Sequence, residues 1–139
     1  MRQATHRLGI RCHGRGMYEL TREVAAWLAD TGIRTGLLTL FVQHTSCSLL
    51  IQENADPAVQ HDMERFLSRL VPDGDPMYEH ASEGPDDMSA HVRSALTQTS
   101  LNIPIHQGRM VLGTWQGVFL FEHRTHPMRR DVLLHLIGE

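Results

Sequence analysis

The stretch Gly36 to Gln43, GLLTLFVQ, limits the fold more than any other part of the chain. It is short, nearly continuous in apolar character, and rich in residues that suit an extended backbone. A run of that kind has no polar face to give to water, so it reads as a central strand. The rest of the chain must therefore cover it. Leu8 to Cys12 alternates with polar neighbours as a strand does, and Gly14 and Gly16 break the pattern. Glu19 to Asp30 carries Leu20, Val24, Trp27 and Leu28 at helical spacing, with Gly32 placed to cap it. Ser48 to Gln52 is a second strand. Asp56 caps and Pro57 opens a helix that Pro72 stops. Its stripe of Val59, Met63, Phe66, Leu67 and Leu70 is expected in the core. A further helix runs from Asp87 to Thr97, with Val92, Ala95 and Leu96 as its buried side. Leu101 to His106 contains Pro104 and so belongs at an edge. Met110 to Leu112 and Val118 to Glu122 frame a bend at Gly113 to Gly117. Val132 to Ile137 closes the chain.

That order is strand, helix, two strands, two helices, then three or four strands. It is no steady βαβ alternation. The expected class is α+β: a largely antiparallel sheet or small β-sandwich with packed helices, in one domain spanning 1–139. With 41% apolar and 21% charged residues, a chain of this length can bury a core without disulfides. A net charge of -3 gives no general reason to expect nucleic-acid binding. The opening residues lack the apolar core of a signal peptide, and no apolar run is long enough for a bilayer. The two cysteines, Cys12 and Cys47, form no disulfide framework. A cytoplasmic protein with no membrane association is the expectation.

The densest chemistry lies in HASEGPDDMSAH, His80 to His91. Gly84 and Pro85 punctuate a loop, and Asp86 and Asp87 open the helix after it. Asp87 and His91 are four apart and share a helix face. His80 can fold back toward them from the long polar loop Asp73 to Pro85. A metal site, an acid-base site and a capped loop all fit these residues. His44-Thr45-Ser46 sits at a strand end, where functional groups are often presented; a turn bonded to its own backbone fits equally. No GxGxxG, Walker sequence, CxxC or His-x-x-x-His is present.

Four pieces together resemble one family. They are HTSCSLLIQENAD from His44, HASEGPDDMSAH from His80, IPIHQGRMVLGTWQGVFLFEHR from Ile103, and the basic approach to the last strand at Arg129 and Arg130. In order and spacing, over nearly the whole chain, they look like the YjbQ family, long described as uncharacterised. The resemblance implies an α+β, sandwich-like fold, a compact homotrimer, and a secondary thiamine-phosphate synthase activity. The family's motif histidines fall on His44, His80 and His91, and its acidic motif on Asp86 and Asp87. This chain departs in carrying Cys47 after the His-Thr-Ser turn, where packing is the expected role rather than a nucleophile.

The implied reaction joins hydroxymethylpyrimidine diphosphate to thiazole phosphate and releases diphosphate. On that reading, Asp86 and Asp87 hold Mg²⁺ and Arg129 pairs with phosphate. Thr45, Ser46, Trp115 and Gln116 contact a small phosphorylated substrate, the last two because the Gly113 bend carries them to the site or a subunit seam. A second reading is metal-assisted hydrolysis, with His44, His80 and His91 converging on Zn²⁺ and Asp87 or Glu122 orienting a ligand or moving a proton. A third is a non-enzymatic ligand- or metal-binding trimer.

Overall fold

In the computed structural model, which describes residues 1–139, the elements follow in this order. They are β1 (Arg2–Cys12), β2 (Gly16–Glu19), α1 (Thr21–Thr31), β3 (Gly36–Val42), β4 (Cys47–Glu53), α2 (Pro57–Leu70), α3 (Asp87–Leu96), β5 (Ser100–His106), β6 (Arg109–Met110), β7 (Gln116–Glu122) and β8 (Met128–Gly138). All strand pairs are antiparallel. One sheet has the order β1-β8-β3-β5-β6, the other β2-β7-β4. β3 takes the middle of its sheet, as its unbroken apolar run requires. The class is α+β, a curled antiparallel half-barrel with packed helices. No helix is long and apolar enough to cross a membrane.

The core lies between the two sheets. Leu38, Leu40 and Val42 of β3 meet Leu49 of β4 and Val118 and Leu120 of β7, with Val24 and Leu28 of α1 at the side. Side chains alternate along a strand, so Phe119 and Phe121 of β7 point the other way. Both are buried too. The smaller sheet is therefore covered on both faces, with α2 against β2 and α3 against β4. Gly36 and Gly138 let β3 and β8 close tightly, since a Cβ on Gly36 would run into the carbonyl of Ile137.

Local signals at helix ends read true. Asp56 accepts the Ala58 N–H at 2.9 Å, and Gly32 takes the left-handed conformation, φ 72, behind α1. Gly14 and Gly16 do break the pattern: β1 ends at Cys12, and a separate strand that the alternation did not announce, β2, starts at Gly16 and pairs with β7. Two expectations fail. The stripe of α2 buries only Leu67, while Phe66 and Leu70 are 53% and 57% exposed. α3 is turned about: Asp87, Ser89, Ala90, Arg93 and Ser94 face inward, and Ala95 and Leu96 face out. The inward polar groups have partners that the helix alone does not reveal. Arg93 meets Glu64 at 2.9 Å, and Ser94 Oγ donates to the Cys47 carbonyl at 3.1 Å. The strand with Pro104 was expected at an edge, but β6 lies outside it, so β5 is next to the edge. Proline is tolerated there because the two-residue β6 pairs only with Ile105 and His106, and the missing N–H costs no full ladder.

Candidate metal centre

α3 starts where the long loop ends, and its first turn carries Asp87. One turn later His91 lies over it, with Nε2 3.3 Å from Asp87 Oδ2. His80 folds back from the loop, its Nε2 2.6 Å from the same oxygen. The three ligand atoms lie within 4.8 Å of one another. The two imidazoles meet edge to face, centroids 5.3 Å apart. Asp87 is 5% exposed, whereas the loop leaves His80 open to solvent.

Their hydrogen bonds show what the cluster lacks. His91 Nδ1 is 3.0 Å from the Thr45 carbonyl, which can only accept, so Nδ1 carries the proton. A neutral His91 then presents its Nε2 lone pair to a carboxylate oxygen, another acceptor. Two facing acceptors need a cation between them, either a proton or a metal ion. Asp87 is prepared for the same part. Arg124 Nη1 holds Oδ1 at 2.8 Å and leaves Oδ2 for the imidazoles. Burial pushes the Asp87 carboxyl up, but the bond from His80 and the Arg124 charge outweigh it and hold it below the usual carboxylate range. A carbonyl orienting one imidazole and an arginine orienting the carboxylate are the supports metal ligands usually have. Two imidazoles and one carboxylate fit a divalent ion and leave positions open.

The acidic pair divides its labour. Asp86 was expected as a metal ligand, and it is not one here. Its Oδ2 accepts from Arg124 Nε at 3.0 Å, from the Thr125 N–H at 2.9 Å and from Thr125 Oγ1 at 3.1 Å. Burial opposes its charge, yet these bonds hold its carboxyl far below the usual range. It makes no side-chain cap for α3. It fixes Arg124 instead, and Arg124 fixes Asp87.

His44 does not join the other histidines, so the three-histidine convergence fails. The backbone of Thr45 touches His91, but the His44 ring turns the opposite way, and its Nε2 accepts the Asp131 N–H at 3.1 Å. Burial first, then the Arg130 charge, lower its pKa and keep it neutral near pH 7. Ser46 is buried and its Oγ accepts from Arg130 Nη2 at 2.8 Å. Arg130, not Arg129, faces inward: Arg130 is 3% exposed and pairs with fully buried Glu122 at 2.6 Å, while Arg129 lies on the solvent side. Counting back by twos along β8 from Leu136, Leu134 and Val132 reaches Arg130, a signal that the strand's parity already held.

Trp115 and Gln116 lie elsewhere. The bend is real, with the Gln116 N–H returning to the Gly113 carbonyl at 3.1 Å. Yet Gln116 pairs with Glu53, and Cys47 with Glu122, at opposite ends of the β4–β7 ladder. Six residues of strand put the bend about 20 Å along the ladder from its Cys47–Glu122 end, the end next to the Thr45 turn that His91 contacts. Trp115 is 63% exposed and anchors no core. Cys47 is buried, and burial first raises its thiol to about 12, so it packs and supplies no thiolate.

The model of the UPF0047 protein YjbQ-like family matches residues 6–139. The chain belongs to that family. The UPF0047 protein sll1880 of Synechocystis is 51% identical over 138 residues, 99% of this chain and 94% of the relative. The UPF0047 protein YjbQ of Escherichia coli O157:H7 is 48% identical, over 95% of this chain and 96% of its own. Among solved structures, the hypothetical protein APE1520 from Aeropyrum pernix K1 superposes with a TM-score of 0.89 at 29% identity, covering 98% of this chain and 99% of that one. For this YjbQ-like chain, sequence reasoning missed Arg124 and His123, which follow β7. His123 is fully buried, with Nε2 2.8 Å from Ser48 Oγ. Arg124 had a signal, a lone cation after a buried strand, but only the fold brings it to Asp86 and Asp87.

Proposed function

We propose that the chain is a divalent-metal-dependent enzyme of the thiamine-phosphate synthase type, acting on a small phosphorylated substrate. The supporting observation is the facing pair of acceptors at His91 Nε2 and Asp87 Oδ2, with His80 beside them. His80, Asp87 and His91 would hold the ion. When bound, it neutralises charge on an oxyanion leaving group. In the reaction, the pyrimidine methylene carbon loses its bond to a diphosphate oxygen and gains one to the thiazole nitrogen. Arg124 keeps Asp87 ionised and aimed, and the Thr45 carbonyl keeps the proton of His91 on Nδ1. His80 rides on the loop and is the ligand free to adjust as a substrate enters. Family resemblance supplies the identity of the reaction.

One observation favours a second reading, metal-assisted hydrolysis. Two of three donors are imidazole nitrogens, which suit Zn²⁺ better than the all-oxygen preference of Mg²⁺. Product analysis separates the two. Incubation with pyrimidine diphosphate and thiazole phosphate, in Mg²⁺, in Zn²⁺ and in chelator, is expected to give thiamine phosphate only with metal. Free pyrimidine alcohol and diphosphate, formed without the thiazole, would select hydrolysis.

The trimer is proposed on the same footing. Leu101, Ile103 and Ile105 of β5 are buried in the core and offer no surface for association. The free face is the outer side of the larger sheet instead, where Leu37, Phe41 and Ile137 are 42%, 42% and 36% exposed.

A further inference from the structure

The metal cluster has acceptors facing each other. Across the Thr45 turn the opposite occurs. His44 Nε2 accepts the Asp131 N–H, so the neutral ring carries its proton on Nδ1. That nitrogen lies 3.4 Å from Arg130 Nη1, which is also a donor. A neutral imidazole has one acceptor nitrogen, so these two donors cannot satisfy each other. Both border a cavity of about 460 Å³ with Thr45, Ser46 and Thr99 in its wall. Arg130 is 3% exposed, and its Nε and Nη2 are spent on Glu122 at 2.7 and 2.6 Å. Nη1 is what remains for the cavity.

We propose that this cavity is an anion subsite, in which a phosphoryl group accepts hydrogen bonds from His44 Nδ1 and Arg130 Nη1. The inference deepens the reading of a phosphorylated substrate at the metal centre and rests on it. Thr45 stands between the two sites: its carbonyl orients His91, and its residue lines the cavity. One substrate carrying charge at both ends, or two substrates each with a phosphate, suits such a pair. The charges near His44 are accounted for. Glu122 is tied to Arg130, and the Asp131 carboxylate lies 3.7 Å from Arg7. The cavity therefore offers directed donors with little net charge, and free phosphate should bind with a dissociation constant on the order of millimolar.

The test follows the ring nitrogens of His44 by ¹⁵N NMR while inorganic phosphate is added to the full chain, both chelator-treated and Zn²⁺-loaded. Before phosphate, His44 should be protonated on Nδ1. Phosphate should then shift that resonance in both preparations. His91→Ala, which removes a metal ligand, should leave the phosphate response intact. His44→Phe should weaken phosphate binding about tenfold, the loss of one hydrogen bond to a charged group. A His44 proton on Nε2, or phosphate that moves only His80 and His91 or no histidine, would overturn the proposal. Should His44→Phe not fold, the wild-type resonance still decides. Failure of the metal reading looks different: no ion bound, with His44 still responding to phosphate.

Discussion

Burial of His123 without a charge sets a pH dependence that a single side chain can test. Burial first, then Arg93, Arg15 and Arg130, lower its pKa to about 3, and its Nδ1 has no partner. The unfolded chain takes up that proton near the ordinary imidazole pKa of about 6.5. Between those values the unfolded state binds a proton that the folded state refuses. Stability from this residue is thus full above about pH 6.5 and falls as pH drops toward 3, by at most about 1.4 kcal/mol per pH unit. Denaturant titrations across that range should show a shallower slope for His123→Phe than for wild type. Identical slopes would mean that the imidazole charges freely in place. Arg124 offers a second test. Arg124→Lys keeps a charge beside Asp86 but loses the fork that also reaches Asp87. Metal affinity measured by competition with a chelator should fall about tenfold or more with the fold retained. Unchanged affinity would remove Arg124 from the support of the site.

α3 shows which part of the molecule was open to sequence reasoning and which was not. Its start at Asp87 and its pairing of Asp87 with His91 follow from spacing. Its buried side does not, because apolar periodicity points to Val92, Ala95 and Leu96 while the fold buries Arg93 and Ser94. A buried cation is tolerable only with its partner present, and that partner, Glu64, lies on another helix. Glu64→Gln should therefore cost about 2–3 kcal/mol, below the usual toll for a fully buried pair because Glu64 is itself partly exposed. Equilibrium unfolding checks this, and a change below about 0.5 kcal/mol would make the pair incidental. β3, β7 and β8 were legible through alternation and apolar runs, since those signals are local. His44 was misplaced for the reason Arg93 was. Its position at a strand end is local, but the direction of its ring depends on the Asp131 N–H far along the chain.

The whole molecule leaves one sheet face without cover. Leu37 pairs with Ile137 on one side and Pro104 on the other, and Phe41 pairs with Leu133. These rows form apolar bands separated by Thr39, His135 and Asn102. Antiparallel sheets can show one face to water, but apolar bands there favour a partner surface. Light scattering at micromolar concentration should give three times the chain mass, and Phe41→Glu should lower it. A monomer mass that persists at high concentration would defeat the trimer while leaving the metal centre untouched.

That centre is tested most directly by counting metal. Wild-type protein purified without chelator and then equilibrated with Zn²⁺ should hold about one ion per chain after desalting. His91→Ala should hold none, with its melting temperature in the metal-free state close to that of metal-free wild type. Equal metal in the two proteins, or none in either, would contradict a site made of His80, Asp87 and His91.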